Sequence, residues 1–102
     1  MRLKYGSVRT YSTLCQREFA SKKEAIRAEE LTLLEKDGQI IDLEFQILFG
    51  LCEKPKITIT IDFSYWQDGK VTYEDSKGVL TRDTRTKLAW LHEKYGTEVI
   101  LS

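Results

Sequence analysis

Two carboxylates, Asp62 and Asp75, and one ammonium, Lys77, are the groups in this chain whose spacing points to chemistry. Two carboxylates held face to face repel, and a divalent cation between them reverses the sign of that interaction. The stretch from Lys56 to Gly78, KITITIDFSYWQDGKVTYEDSKG, predicts that they are held so. Ile57, Ile59, Ile61, Phe63 and Tyr65 alternate with Thr58, Thr60, Asp62 and Ser64, the two-residue period of a strand. Val71, Tyr73, Asp75 and Lys77 mark one face of a second strand. Asp68-Gly69 between them is the dipeptide that favours a two-residue type I′ turn, whose central residues both need positive φ. With that loop, Gln67 pairs with Lys70, Trp66 faces Val71, Ser64 faces Tyr73 and Asp62 faces Asp75. Lys77 follows on the same face, opposite Thr60. The same residues also read as an exposed Asp-Asp-Lys cluster, or as a hairpin whose register a bulge has slipped.

The flanking elements decide what can approach this hairpin. Ser21-Lys22-Lys23-Glu24 is a capping box that opens a helix, which Lys36-Asp37-Gly38 closes. Glu24, Ala28 and Leu31 fall on one stripe of it. Glu24 is then either a capping carboxylate or an inward group that reaches the acidic patch. Residues 39–51, QIIDLEFQILFGL, read as a strand with Leu43, Phe45, Ile47 and Phe49 on one face. Glu44 and Gln46 on the other face fit a site or an ordinary half-exposed strand. Glu53-Lys54-Pro55 is a turn, where proline costs the sheet no ladder donor. A second helix spans roughly 82–95, capped by Thr81 and ended by Gly96, with Thr84, Leu88, Leu91 and Tyr95 inward and Trp90 beside them. Arg82, Arg85 and Lys87 cluster at its start, where they serve phosphate or a solvated face. Residues 98–101 form a last short strand. Residues 8–20 hold a short hairpin, and residues 1–10, with Arg2, Lys4 and Arg9, form a basic arm that touches phosphate or is only a solvated terminus. The order is helix, three strands, helix, strand, which predicts an α/β fold: a mixed central sheet flanked by helices.

Bulk properties narrow the function classes. The 102 residues suit one domain, and the formal charge is zero, with 16 basic and 16 acidic side chains. That excludes a protein that merely coats nucleic acid, yet leaves room for a basic patch beside an acidic site. No apolar run is long enough for a membrane span, and the first residues lack the apolar core of a signal peptide. Cys15 and Cys52 have no Cys-x-x-Cys spacing, and His92 is the one histidine, so a zinc site is not expected. Reduced thiols in a cytoplasmic setting fit this usage. His92 reads as a helix-surface or boundary residue. Trp66, Trp90 and Phe49 read as core or as an interface.

Taken together, these residues resemble the PD-(D/E)XK nuclease superfamily, with its restriction-endonuclease-like αβββαβ core. Asp62 matches the acid of one hairpin strand, Asp75-Ser76-Lys77 the acid-x-Lys of the next, and Glu24 the glutamate that many members add from the first helix. The runs SKKEA, LLEKDGQIIDLEFQ, YEDSKG and HEKYG are similar to small phage and prophage proteins of that superfamily, related to phage endonucleases and Holliday-junction resolvases. The resemblance covers the chain from about residue 4 to its end, as a single nuclease-like domain. Two departures stand out: Ile61 precedes Asp62 where proline is common, and Asp75 replaces the commoner glutamate, one methylene shorter. The resemblance implies a metal-dependent endonuclease acting on DNA, with branched DNA or Holliday junctions as the structure-selective option in phage DNA processing. It implies Asp62, Asp75, Lys77 and Glu24 as catalytic residues. Mg²⁺, or Mn²⁺ in its place, would be held by Asp62, Asp75, Glu24 and the Ser76 carbonyl. Lys4, Arg9, Arg82 and Arg85 are the implied DNA contacts, and a homodimer is implied by the junction-cutting relatives. The alternative is a nuclease-fold DNA-binding or phage-assembly module without catalysis.

Overall fold

The computed structural model describes residues 8–76 and 80–102. Strands β1 (Thr10–Ser12) and β2 (Arg17–Phe19) form a small antiparallel hairpin. They are followed by α1 (Lys22–Lys36), β3 (Ile41–Glu53), β4 (Lys56–Gln67), β5 (Lys70–Asp75), α2 (Arg82–Tyr95) and β6 (Val99–Leu101). A four-stranded sheet has the order β3-β4-β5-β6. Its first two pairings are antiparallel and the last, β5 with β6, is parallel. The protein is therefore α/β, with a mixed sheet and two helices. Among the described residues no helix is long and apolar enough to cross a membrane.

Local chemistry places the element ends. Ser21 Oγ accepts the Glu24 N–H at 3.1 Å and starts α1, and Thr81 Oγ1 accepts the Thr84 N–H at 3.2 Å and starts α2. Gly38, at φ 80°, follows α1, and Gly96, at φ 67°, caps α2. Asp68 and Gly69 have φ of 54° and 76°, the signature of the type I′ turn. The hairpin register follows: Gln67 opposes Lys70, Trp66 opposes Val71 and Ser64 opposes Tyr73.

Two apolar clusters hold the helices to the sheet. Ala25, Ala28 and Leu31 of α1 meet Phe63 and Tyr65 of β4, with Phe19 and Ile40 closing the cluster. Leu91 of α2 meets Leu51, Ile59 and Ile61, with Tyr73 and Val99 alongside. Ile59, Ile61, Phe63 and Tyr65 all have the same parity on β4, yet they divide between the two helices. Tyr73 opposes Ser64, so it shares a face with Ser64 and not with Phe63, and it too joins the α2 cluster. The alternation thus changes sides within β4. The change falls at Asp62, where the β3–β4 ladder omits the Gln46–Asp62 pair and Gln46 has φ 58°.

The inward stripe expected for α2 is narrower than its spacing predicts. Leu91 is fully buried, while Tyr95 is 47% exposed and Trp90 37% exposed. The last turn of α2 runs out to the sheet edge, where the Tyr95 hydroxyl donates to the Gly50 carbonyl at 2.7 Å and its ring meets Phe49. Trp66, at 43% exposed, lies outside the core as well, and Phe49 is half-buried.

Candidate functional site

Three elements bring carboxylates together at the point where β4 changes sides. Asp62 is 8% exposed, Asp75 is fully buried, and Glu24 of α1 is 5% exposed. The Asp62 backbone N–H donates to Asp75 Oδ1 at 2.9 Å, so a side chain takes the role of a ladder carbonyl. Asp62 Oδ2 in turn accepts the Ser76 N–H at 2.9 Å. Gln46 supplies the third link: its Nε2 donates to Glu24 Oε2 at 3.1 Å and lies 3.5 Å from Asp62 Oδ1. The left-handed backbone at Gln46 is the local feature that accompanies this contact, and a non-glycine residue in that conformation signals a constraint from its surroundings.

Placing acids this close in a buried setting changes the titration of Asp62. Burial, then the negative charge of Asp75, pushes the Asp62 carboxyl up to about 7. The Ser76 N–H pulls it back, and Glu24 adds to the rise. Near neutral pH, Asp62 is thus poised between its two protonation states.

A second buried acid lies next along β5. Glu74 is 1% exposed and receives Arg27 of α1 through both Nε and Nη2, the latter at 3.0 Å. The Tyr65 hydroxyl donates to Glu74 Oε1 at 2.9 Å. Burial acts to raise Glu74, but the hydrogen bonds from Arg27 and Tyr65 outweigh it and hold the carboxyl below its ordinary value. Burial and the contact to Glu74 push the Tyr65 hydroxyl up. Glu74 and Asp75 are adjacent in sequence but on opposite faces of the strand, so one is neutralised by a guanidinium and the other meets carboxylate.

Of the residues expected at the site, Asp62, Asp75, Ser76 and Glu24 come together. Lys77 and Lys4 lie outside the described residues. Arg9 is exposed and its Nε pairs with Glu18 of β2, which ties it to the first hairpin. Arg82 and Arg85 are exposed on the first turn of α2 and, among the described residues, make no hydrogen bond or ion pair to the cluster. Glu44 is exposed and lines a separate cavity with Trp66 and Tyr73. Gln46, one of two polar candidates on its strand, is the one at the site. Arg27, Glu74 and Tyr65 are additions from the structure. Only the unlike charges of Arg27 and Glu74 hint at this contact in the sequence, because α1 and β5 are far apart along the chain.

Carboxylate oxygens with a backbone carbonyl are the donors that hard divalent cations take. The donor chemistry here fits such an ion. The shell is not pre-assembled: Asp62 Oδ2 and Asp75 Oδ1 hold backbone N–H groups, and among the described residues no group of three or more His, Cys, Asp or Glu is placed to hold a metal ion.

No curated protein and no solved structure matches the chain. One family model does, over residues 2–101. On that match across nearly its whole length, the chain belongs to the family described as protein of unknown function, DUF1064.

Proposed function

We propose that the protein is a metal-dependent endonuclease of restriction-endonuclease-like fold that hydrolyses phosphodiester bonds of DNA. The observation that carries this reading is the meeting of Glu24, Asp62 and Asp75 from α1, β4 and β5, with Asp62 raised to about 7 by burial and by its carboxylate neighbours. A cluster of that charge is costly to folding and useful to a cation. The order α1-β3-β4-β5-α2-β6 supports it, being the αβββαβ order of the superfamily that the motifs resemble.

Glu24, Asp62, Asp75 and the Ser76 carbonyl would hold Mg²⁺, with Mn²⁺ as a substitute. When bound, such an ion polarises the scissile phosphate and lowers the pKa of the attacking water. The chain's own residues orient these groups. The Ser76 N–H fixes one oxygen of Asp62, Asp75 fixes the backbone of Asp62, and Gln46 spans Glu24 and Asp62. Lys77, by the resemblance, would place the water and stabilise charge on the phosphorane. Arg82 and Arg85, exposed on α2, and Lys4 and Arg9 would contact the DNA backbone without reading sequence. Two copies, joined through exposed apolar residues such as Trp66, would serve paired cuts in a branched substrate.

A second reading, a nuclease-fold DNA-binding module without catalysis, draws on one observation. Asp75 Oδ1 holds the Asp62 N–H, a structural role that does not require a metal. Incubation with branched, single-stranded and duplex DNA in Mg²⁺, Mn²⁺ or EDTA separates the two readings. Cleavage that needs the metal, and that falls by about 100-fold or more in Asp62→Asn and Lys77→Ala, is the expected outcome. No cleavage of any substrate, with no heat of Mg²⁺ binding by calorimetry, would overturn the nuclease.

A further inference from the structure

Beside the carboxylate cluster lies a cavity of about 430 Å³, between the first turns of α1 and the ends of β5 and β6. Lys22, Lys23, Ile26, Arg27, Ser76 and Ser102 line it. Its exposed wall is mostly carbon, from Ile26 and the stems of the basic residues. Ile26 is 50% exposed, on the turn of α1 that faces the cavity rather than the core. The Arg27 guanidinium is held by Glu74 through two nitrogens, with Glu74 held in turn by Tyr65, yet its side chain keeps 31% of its exposure. The side chain is thus fixed and keeps part of its exposure. Glu30, also on the cavity, is within 3.4 Å of the same guanidinium. Ser76 joins this cavity to the carboxylates, since its N–H binds Asp62 while its Oγ is buried with no hydrogen-bond partner among the described residues.

We propose that this cavity receives one unpaired nucleotide of a DNA strand, next to the bond to be cut. The identity of the ligand rests on the nuclease reading above. A phosphate alone would not need walls of carbon, and an apolar ligand alone would not need the exposed Lys22 at its rim. A nucleotide needs both. Its base has apolar faces that stack on a guanidinium plane and on an aliphatic side chain, and its phosphate suits ammonium groups. A base paired in a duplex cannot enter, so the cavity selects strands with unpaired positions.

The test is fluorescence anisotropy in EDTA, with a labelled oligothymidylate and a fully paired hairpin of the same length. The single strand is expected to bind more tightly than the hairpin. Ile26→Glu should weaken single-strand binding by about tenfold, as loss of one stacked base does, and leave hairpin binding within about twofold. Lys22→Ala, at an exposed position, should lower the salt slope of single-strand binding by about 0.7, the loss of one phosphate contact. Equal affinity of the wild type for both DNAs, or unchanged single-strand binding in both variants, would overturn the cavity. Because no metal is present, the outcome is separable from cleavage. A wild type that discriminates in EDTA but never cuts with Mg²⁺ retires the nuclease and keeps the nucleotide site. A wild type that cuts while both variants bind normally does the reverse.

Discussion

Arg27 and Glu74 form a contact whose two ends have different surroundings: the guanidinium is partly wet and the carboxylate is shut away from water. Removing one member leaves the other exposed to the full cost of burial. Arg27→Ala should therefore lower the unfolding free energy by about 3 kcal/mol, measured by urea denaturation, because Glu74 loses its guanidinium and keeps only the neutral Tyr65 and Ser102 hydroxyls. A loss below about 1 kcal/mol would show that Glu74 is reached by water after all. Asp62 makes a prediction of the opposite kind. Its folded value, about 7, lies above the ordinary carboxylate value of roughly 3.9. Between those limits the folded protein holds a proton that the unfolded chain has released, so stability falls as pH rises. The contribution is complete below about pH 4 and gone above about 7, an effect on the order of a few kcal/mol. In EDTA the wild-type Tm should drop from pH 5 to pH 8 relative to Asp62→Asn, and Mg²⁺ at pH 8 should recover part of it. A Tm difference between the two proteins that does not move with pH would show that Asp62 does not titrate in that range, and would overturn its raised value.

At the scale of elements, the β4–β5 hairpin carries most of the consequence. Its turn alone sets the register that opposes Ser64 to Tyr73 and places Asp62 beside Asp75. Gly69 is in open space, so a larger side chain there meets no neighbour, and only its φ of 76° opposes substitution. Gly69→Val should cost about 1–2 kcal/mol by the same denaturation experiment, from left-handed backbone strain alone. A neutral result would mean that the turn relaxes to another type, and with it the pairing of the two acids. Helix α1 acts in two directions. Its buried stripe of Ala25, Ala28 and Leu31 docks it on the sheet, while its first turns present Glu24 to the acids and Ile26 to the neighbouring cavity.

For the whole molecule, much was legible because much of it is locally encoded. The two caps and the Asp68-Gly69 turn each depend on residues within a few positions of one another, and each formed where its chemistry required. Glu24 was legible only as two alternatives, and tertiary packing selected the inward one. The change of sides at Asp62 was not legible. Ile59, Ile61, Phe63 and Tyr65 form an unbroken alternation in the sequence, and which helix each meets depends on both layers being in place. Arg27–Glu74 was hidden for the same reason, as was the reach of Tyr95 to Gly50. The change of sides has a further effect, on solubility. Among the described residues β3 hydrogen-bonds to β4 on one side only, and it runs for 13 residues, long enough to template the strand of another molecule. Its two register shifts, and the left-handed residues Asp42 and Gln46, interrupt the row of donors and acceptors that such a strand would need. The distortion that turns Gln46 toward the acids therefore also opposes the pairing of a further strand along this edge.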